Sequence, residues 1–204
     1  MNKNGIVYTI FFSFISAFLI VLALGFAYQS TKQKAEEYSR LNGRRAVLAA
    51  FGYNEYDEDR INTLYDTKIK KRQIDGIDIY ISEKDGLLCF GKIFSGNGLW
   101  GTITGVITVN ADATEIYGFE ILTHNETPGL GARIEEPWFL NQMKNEKIGP
   151  SGIALNRNGT GNGDEDKGNA SIDAITGATQ TSIFISRIIN NEIPILKKIA
   201  GELK

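Results

Sequence analysis

From Asn4 to Thr31 the chain carries no charged residue, and Gly5 to Tyr28 is dominated by Ile, Phe, Leu, Val and Ala. That run exceeds the roughly 20 residues needed to cross a hydrocarbon core, which predicts a membrane-spanning helix. Gly25-Phe26-Ala27 has the small-x-small form of a cleavage site, so a removable signal peptide is the competing reading, although the apolar run is long for one. The pattern then changes. Lys32 to Phe51 reads as a charged helix with Ala-rich final turns and Gly52 as its stop. Tyr53 to Arg60 is acidic and loop-like, and Ile61 to Arg72 is a second, mixed helix whose Lys68, Lys70, Lys71 and Arg72 form a solvated face.

Strand patterns follow at Ile77 to Ile81, Leu87 to Ile93, Thr102 to Asn110 and Ile116 to Leu122. In the third, Ile103, Gly105, Ile107 and Val109 alternate with Thr102, Thr104, Val106 and Thr108, which predicts one apolar and one more polar face. Ala111 to Thr114 reads as a hairpin connection. Pro137 opens a helix through about Lys144. Asn156 to Asn169, rich in Gly, Asn and acids, reads as a flexible loop. Ile172 to Ile175 ends a strand, and a helix follows through about Asn190, striped by Phe184 with Ile188 and Ile185 with Ile189. Pro194 is expected to end that helix, leaving Ile195 to Leu203 as a short final one. The whole is an α+β chain, with an N-terminal transmembrane helix followed by a twisted antiparallel sheet with packed helices. Its expected divisions are an anchor over residues 1–31, a helical connector over 32–75 and a folded domain over 76–204.

Composition narrows the chemistry. The 204 residues are 42% hydrophobic and 23% charged, with a formal net charge of −2, which gives no reason to invoke nucleic acid. Cys89 is the single cysteine, so an internal disulfide is impossible and this chain alone cannot supply the thiolates of an iron–sulfur cluster. Asp164, Glu165 and Asp166 lack the alternating oxygen ligands of an EF-hand, and no metal site is expected.

Candidate chemistry concentrates in Asp173-Ala174-Ile175-Thr176-Gly177-Ala178-Thr179, with Thr181 and Ser182 after it. Gly177 permits a sharp turn and the close approach of a bulky anion. The N–H groups and dipole of the following helix favour a phosphate, and Thr179, Thr181 and Ser182 are candidate caps. An ordinary capped helix after a strand fits the same residues. Fifty residues upstream, His124-Asn125-Glu126-Thr127-Pro128-Gly129-Leu130-Gly131 forms a loop stiffened by Pro128. Gly96-Asn97-Gly98-Leu99-Trp100-Gly101 is a third such stretch, whose Trp100 reads equally as a core residue or as a stacking surface.

The first string resembles the flavinylation motif of the FMN-binding domain family. The second resembles a loop found in the flavin-carrying subunits of Rnf complexes and of the sodium-translocating NADH:quinone reductase. The third, like Asn42 to Gly52, resembles a segment of the quinone-reductase subunit. The resemblance implies FMN joined by a flavin transferase to Thr179 through a phosphoester, with Asp173 in the pattern that the transferase recognises. Thr176, where the family often has Ser, and Gly177, Ala178, Thr181 and Ser182 complete the attachment segment. Glu126, Thr127, Gly129 and Leu130, with Leu99 and Trp100, are implied contacts to the flavin or its phosphate. His124, the only histidine, reads as a hydrogen-bonded turn residue.

The implied function is a membrane-anchored electron carrier with covalent FMN in an ion-pumping Rnf or quinone-reductase complex, partnered by the other membrane subunits. No general acid, base or substrate pocket is needed for such a relay. The resemblance also implies a single-pass protein of the inner membrane with its soluble domain on the extracytoplasmic, periplasmic face. Counted literally, Lys32, Lys34, Arg40, Arg44 and Arg45 after the span argue for the opposite orientation. Two other classes fit the sequence: a stand-alone extracytoplasmic flavoprotein reductase, which needs an open substrate pocket, and a non-redox membrane-tethered binding module, which would be colourless.

Overall fold

The computed structural model describes residues 5–54, 57–159 and 162–203. Two compact units are present, Met1–Leu41 and Asn42–Lys204. The first is helical from Ile6 onward. Its helix, α1, runs without a break from Ile6 to Ala50, so no boundary separates the apolar span from the charged helix expected after it. Residues such as Phe11, Phe14, Phe18, Leu24 and Phe26 are exposed around it, and the helix is long and apolar enough to cross a membrane. The chain needs no special residue at the junction, because a backbone already helical propagates cheaply through Thr31 and Lys32.

In the second unit α1 ends as its sequence predicts. Gly52, at φ 75°, lets the Tyr53 and Gly52 N–H groups bond back to Leu48 and Ala49, a Schellman close. Asp57 then caps α2 (Glu58–Lys68), accepting from Asp59 N at 3.1 Å. Helix α2 stops four residues short of the expected Arg72, and Lys70–Ile74 is instead a strand, β1. The cause is the turn that follows it. Asp75 and Gly76 both take positive φ and fold β1 onto β2 (Ile77–Lys84), and Asp85-Gly86 does the same between β2 and β3 (Leu87–Asn97). Strands β4 (Thr102–Asn110), β5 (Glu115–Thr123) and β6 (Glu146–Lys147) complete a six-stranded antiparallel sheet in sequential order. A 3-10 turn, Gly131–Glu135, and α3, Pro137–Met143, follow β5. Short parallel strands β7 (Ala154–Asn156) and β8 (Ser171–Asp173) precede α4. The α+β class and the sheet-with-helices architecture are those that the sequence indicates.

Helix α4 runs from Thr179 to Glu202, through Pro194 rather than stopping before it. Proline removes one backbone hydrogen bond there. Burial of Ile193, Leu196, Ile199 and Ala200 on the core outweighs that loss. The stripe of α4 packs on one face of the sheet against Phe90, Phe94, Ile103 and Ile107. Buried Lys92 on β3 meets Glu192 on α4 at 2.5 Å. The opposite face of β4 is covered too: Val106 and Thr108 are buried, and Thr108 Oγ1 donates to the Ala50 carbonyl at 2.7 Å. The half-polar face expected of β4 is therefore the seat of the α1 terminus. Gly118 makes the seat possible, since a Cβ there would lie 2.1 Å from the Ala50 oxygen.

Glu146 on β6 is fully buried, and neither carboxylate oxygen completes a hydrogen bond among the described residues. Burial raises its pKa, partly offset by the nearby Ala170 and Ser171 N–H groups and Lys167. A carboxyl raised in the fold contributes stability that is fully present below the ordinary carboxylate range and is lost as pH rises through its elevated value. Glu146→Gln should therefore raise the unfolding free energy at pH 8, by on the order of 1 kcal/mol, and leave it nearly unchanged at pH 4. Thermal melts of wild type and variant at the two pH values check this; equal differences at both would show that ionisation of Glu146 is not the cause.

Candidate functional site

The three stretches singled out by sequence meet at one carboxylate. Glu126 is 4% exposed. Its Oε1 accepts from the backbone N–H groups of Leu99, at 2.7 Å, and Trp100, at 3.1 Å. Its Oε2 accepts from Thr181 Oγ1 at 2.7 Å. The loop after β3, the loop after β5 and the first turn of α4 are thereby tied together across sequence separations of 27 and 55 residues. Two glycines make room for this. A Cβ on Gly98 would lie 2.6 Å from Glu126 Oε1, and one on Gly131 2.7 Å from Oε2. His124 Nδ1 accepts from Glu126 N at 3.1 Å and so shapes the turn that delivers the carboxylate, the role its sequence context suggests.

Around this buried pin lies an exposed apolar rim. Trp100 is 67% exposed and Leu99 and Leu130 are each 45% exposed. Trp100 is therefore not a core residue. Leu130 reaches the turn before α4: a Cβ on Gly177 would sit 3.4 Å from its Cδ2. Gly177 itself is at φ 80° and Gly129 at φ 73°, so both loops turn where only glycine is unstrained. Thr127 is exposed, and its carbonyl accepts from Leu130 and Ala132.

On the segment from Thr176 to Ser182, Thr176 and Gly177 are exposed and Thr179 is half-buried as the first residue of α4. The helix cap is Ala178, with no side-chain hydrogen bond to the helix end. This corrects the expectation that Thr179, Thr181 or Ser182 caps it. Thr181 and Ser182 point inward and are buried; Ser182 Oγ accepts from Ile175 N at 2.9 Å and donates to Ala178 O at 3.1 Å. These two hydroxyls are committed to holding the turn, as Glu126 is to joining the loops. The groups left facing outward are those of Thr176, Thr179 and the rim.

Asp173 is buried. Its N–H donates to Gln142 Oε1 at 2.8 Å, its carbonyl accepts from Gln142 Nε2, and its Oδ1 accepts from Asn156 Nδ2 at 2.8 Å. Gly159 lies against it, since a Cβ there would come within 2.0 Å of the carboxyl carbon. Gln142 on α3 was not legible as a site residue: nothing in its local sequence marks a glutamine that brackets a strand 31 residues away. The arrangement suits a flat aromatic ligand with a phosphate. The rim offers apolar contact, and the uncapped start of α4 offers N–H groups and the positive end of a helix dipole.

Residues 98–193 match the FMN-binding domain family. One subunit of the Na(+)-translocating NADH-quinone reductase of Yersinia pestis is 29% identical over 151 residues, covering 66% of this chain and 54% of that protein. One subunit of the proton-translocating ferredoxin:NAD(+) oxidoreductase complex of Clostridium ljungdahlii is 26% identical, covering 76% of this chain and 79% of that protein. The chain spans about half the length of the quinone-reductase relatives it matches, 54% and 42% for those of Yersinia pestis and Neisseria meningitidis. The crystal structure of the corresponding quinone-reductase subunit from Parabacteroides distasonis superposes with a TM-score of 0.67 at 25% identity, over 81% of this chain and 95% of that one. Shewanella oneidensis NqrC shares the fold, with a TM-score of 0.64 at 19% identity, over 74% of this chain and 89% of that one. The likeness to the FMN-binding domain family thus spans residues 98–193, which hold all three joined segments from Gly98 onward, and the fold is that of the two solved quinone-reductase subunits.

Proposed function

We propose that this chain is a membrane-anchored electron-transfer subunit that carries FMN covalently, esterified to Thr179, within an ion-pumping complex of the quinone-reductase or Rnf kind. The observation that supports it most is the convergence on Glu126. One buried carboxylate fixes the Leu99–Trp100 loop and the Leu130 loop beside the turn that presents Thr179. Bound FMN supplies the redox chemistry; the chain supplies attachment, orientation and shielding from water. In this reading Thr179 Oγ1 carries the phosphoester, and the free N–H groups at the start of α4 face the phosphate. Thr176, Thr127 and the backbone at Gly177 and Gly129 line the approach. Trp100, Leu99 and Leu130 cover the ring. Asp173, held beneath the turn, serves loading by a flavin transferase rather than electron transfer.

Residues 1–31 anchor the chain in the inner membrane, with the soluble domain on the periplasmic face and the other membrane subunits as partners. Residues 32–75 connect the anchor to the FMN-binding domain, 76–204. The long apolar helix and the two membrane complexes to which the relatives belong support this placement.

Full-length protein produced with a flavin transferase should give a fluorescent band that survives denaturation and an intact mass increased by one esterified FMN, both lost in Thr179→Val. A colourless wild-type protein beside an active transferase would instead favour the non-redox module.

Glu126→Ala strands two backbone N–H groups and one hydroxyl. It should lower stability by about 2–4 kcal/mol and cut flavin loading severalfold. Glu126→Gln, which keeps an acceptor for the Leu99 and Trp100 N–H groups, should retain most of both. Melting curves and band fluorescence read the pair, and an alanine variant that loads and melts like wild type would remove Glu126 from its organising role.

A further inference from the structure

A cleft of about 430 Å³ lies in the second unit, where the last turns of α1 meet β5 and α3. That volume is within the range of small-molecule sites. None of its lining residues is among those assigned to the flavin. Two of its lining residues carry opposite charge, Arg45 from α1 and Glu120 from β5. Arg45 Nη1 donates to Asn42 Oδ1 at 3.2 Å, and its buried Nε has no partner among the described residues. Its Nη2 is the part of the guanidinium left to meet a ligand. The Glu120 carboxyl makes no hydrogen bond or ion pair among the described residues, to Arg45 or to any other. Burial pushes the Glu120 carboxyl up to about 7. Ala46, Ala49 and Leu140 add apolar lining, and Asn54 and Asn141 add amide groups. A smaller, more polar recess of about 120 Å³ shares Glu120 and both asparagines.

Two opposite charges that line one cleft and do not neutralise each other ask for an occupant that answers both. A simple anion would leave Glu120 without a partner, and a simple cation would face Arg45. We propose that this cleft binds a small zwitterion, with a phosphate or carboxylate against Arg45 and a primary ammonium against Glu120. The ethanolamine-phosphate headgroup of a lipid and a free amino-acid-like molecule share that chemistry. The other titratable groups facing Glu120 are Tyr53 beyond the end of α1, Tyr117 on its own strand and Lys144 at the end of α3. None is a base that could replace it as the partner of an ammonium near neutral pH. An ammonium favours the ionised carboxylate, so binding should tighten as pH rises through about 7.

The test is calorimetric titration of the full chain in detergent with glycerophosphoethanolamine, glycerophosphocholine and β-alanine at pH 6 and pH 8. The choline compound has the same phosphate and a quaternary ammonium with no N–H. The ethanolamine compound, β-alanine or both should bind, severalfold more tightly at pH 8. The choline compound should bind about tenfold more weakly than the ethanolamine compound, or not at all. Nanodiscs of phosphatidylethanolamine against phosphatidylcholine, with β-alanine in solution, tell a lipid source from a soluble one. Glu120→Gln and Arg45→Gln should each weaken binding about tenfold. The wild-type comparison of ethanolamine with choline needs no variant to fold. Equal binding of the two headgroups without binding of β-alanine, no binding of either zwitterion, or affinity indifferent to pH would overturn the proposal.

Discussion

The domain's functional end is organised by the acceptor capacity of one carboxylate. An ionised Glu can accept about four hydrogen bonds and donate none. Glu126 uses three of them, two on backbone N–H groups of one loop and one on a hydroxyl of a helix. Charge-assisted bonds to a buried carboxylate are roughly twice as strong as neutral ones. Removing the acceptor would leave buried donors stranded, so the loops cannot drift independently. This explains why Gly98 and Gly131 stand where they do: side chains there would occupy the space that the carboxylate needs.

The pin is useful only because its parts rest on rigid elements. The loop from Gly98 to Gly101 connects β3 and β4, two long strands at the centre of the sheet, and the loop carrying Glu126 leaves β5. Helix α4, which begins with Thr179, is held to β3 by the Ile188 contact at Gly96 and by the Lys92–Glu192 ion pair at its middle. Loop positions are thus inherited from strand positions, and the position of Thr179 from a helix fixed farther along its length. For the carrier role proposed above, a site needs this stiffness more than it needs reactive groups, because one ring has to be kept at one distance and angle from its neighbours.

Much of this was legible in the sequence, and the misses have physical causes. Period-two alternation located β2 to β5. Gly52 marked the end of α1, and the three motif segments were marked by composition and order. The missed strand β1 was hidden by its own Lys70, Lys71 and Arg72 and by Lys68 before it, which read equally as a solvated helix face. The Asp75-Gly76 dipeptide was the available signal for its hairpin. Pro194 misled because a local rule was applied where burial of four apolar side chains outweighs one lost hydrogen bond. Thr181 and Ser182 were read as candidate caps and as part of the attachment segment. At the first turn of a helix, adjacent hydroxyls can cap, contact a ligand or bond inward, and only the position of Glu126, 55 residues away, decides among these.

The glutamates of this domain show why motif chemistry cannot be transferred by residue type alone. Glu126, Glu192, Glu146 and Glu120 are all shielded from solvent to some degree, yet each meets a different counterpart. Glu126 is answered by three donors and becomes a structural joint. Glu192 is answered by Lys92, an ion pair whose desolvation makes it a device for registering α4 on the sheet more than a source of net stability. Glu146 is enclosed with only approaching N–H groups, so its charge is a liability that the fold tolerates. Glu120 alone opens onto a cleft with an uncommitted carboxyl. Enclosure with partners makes a joint, and enclosure without partners makes a pH-sensitive weakness. Only a carboxyl that is partly enclosed, unpartnered and open to a cavity is placed to recognise something the chain does not itself contain.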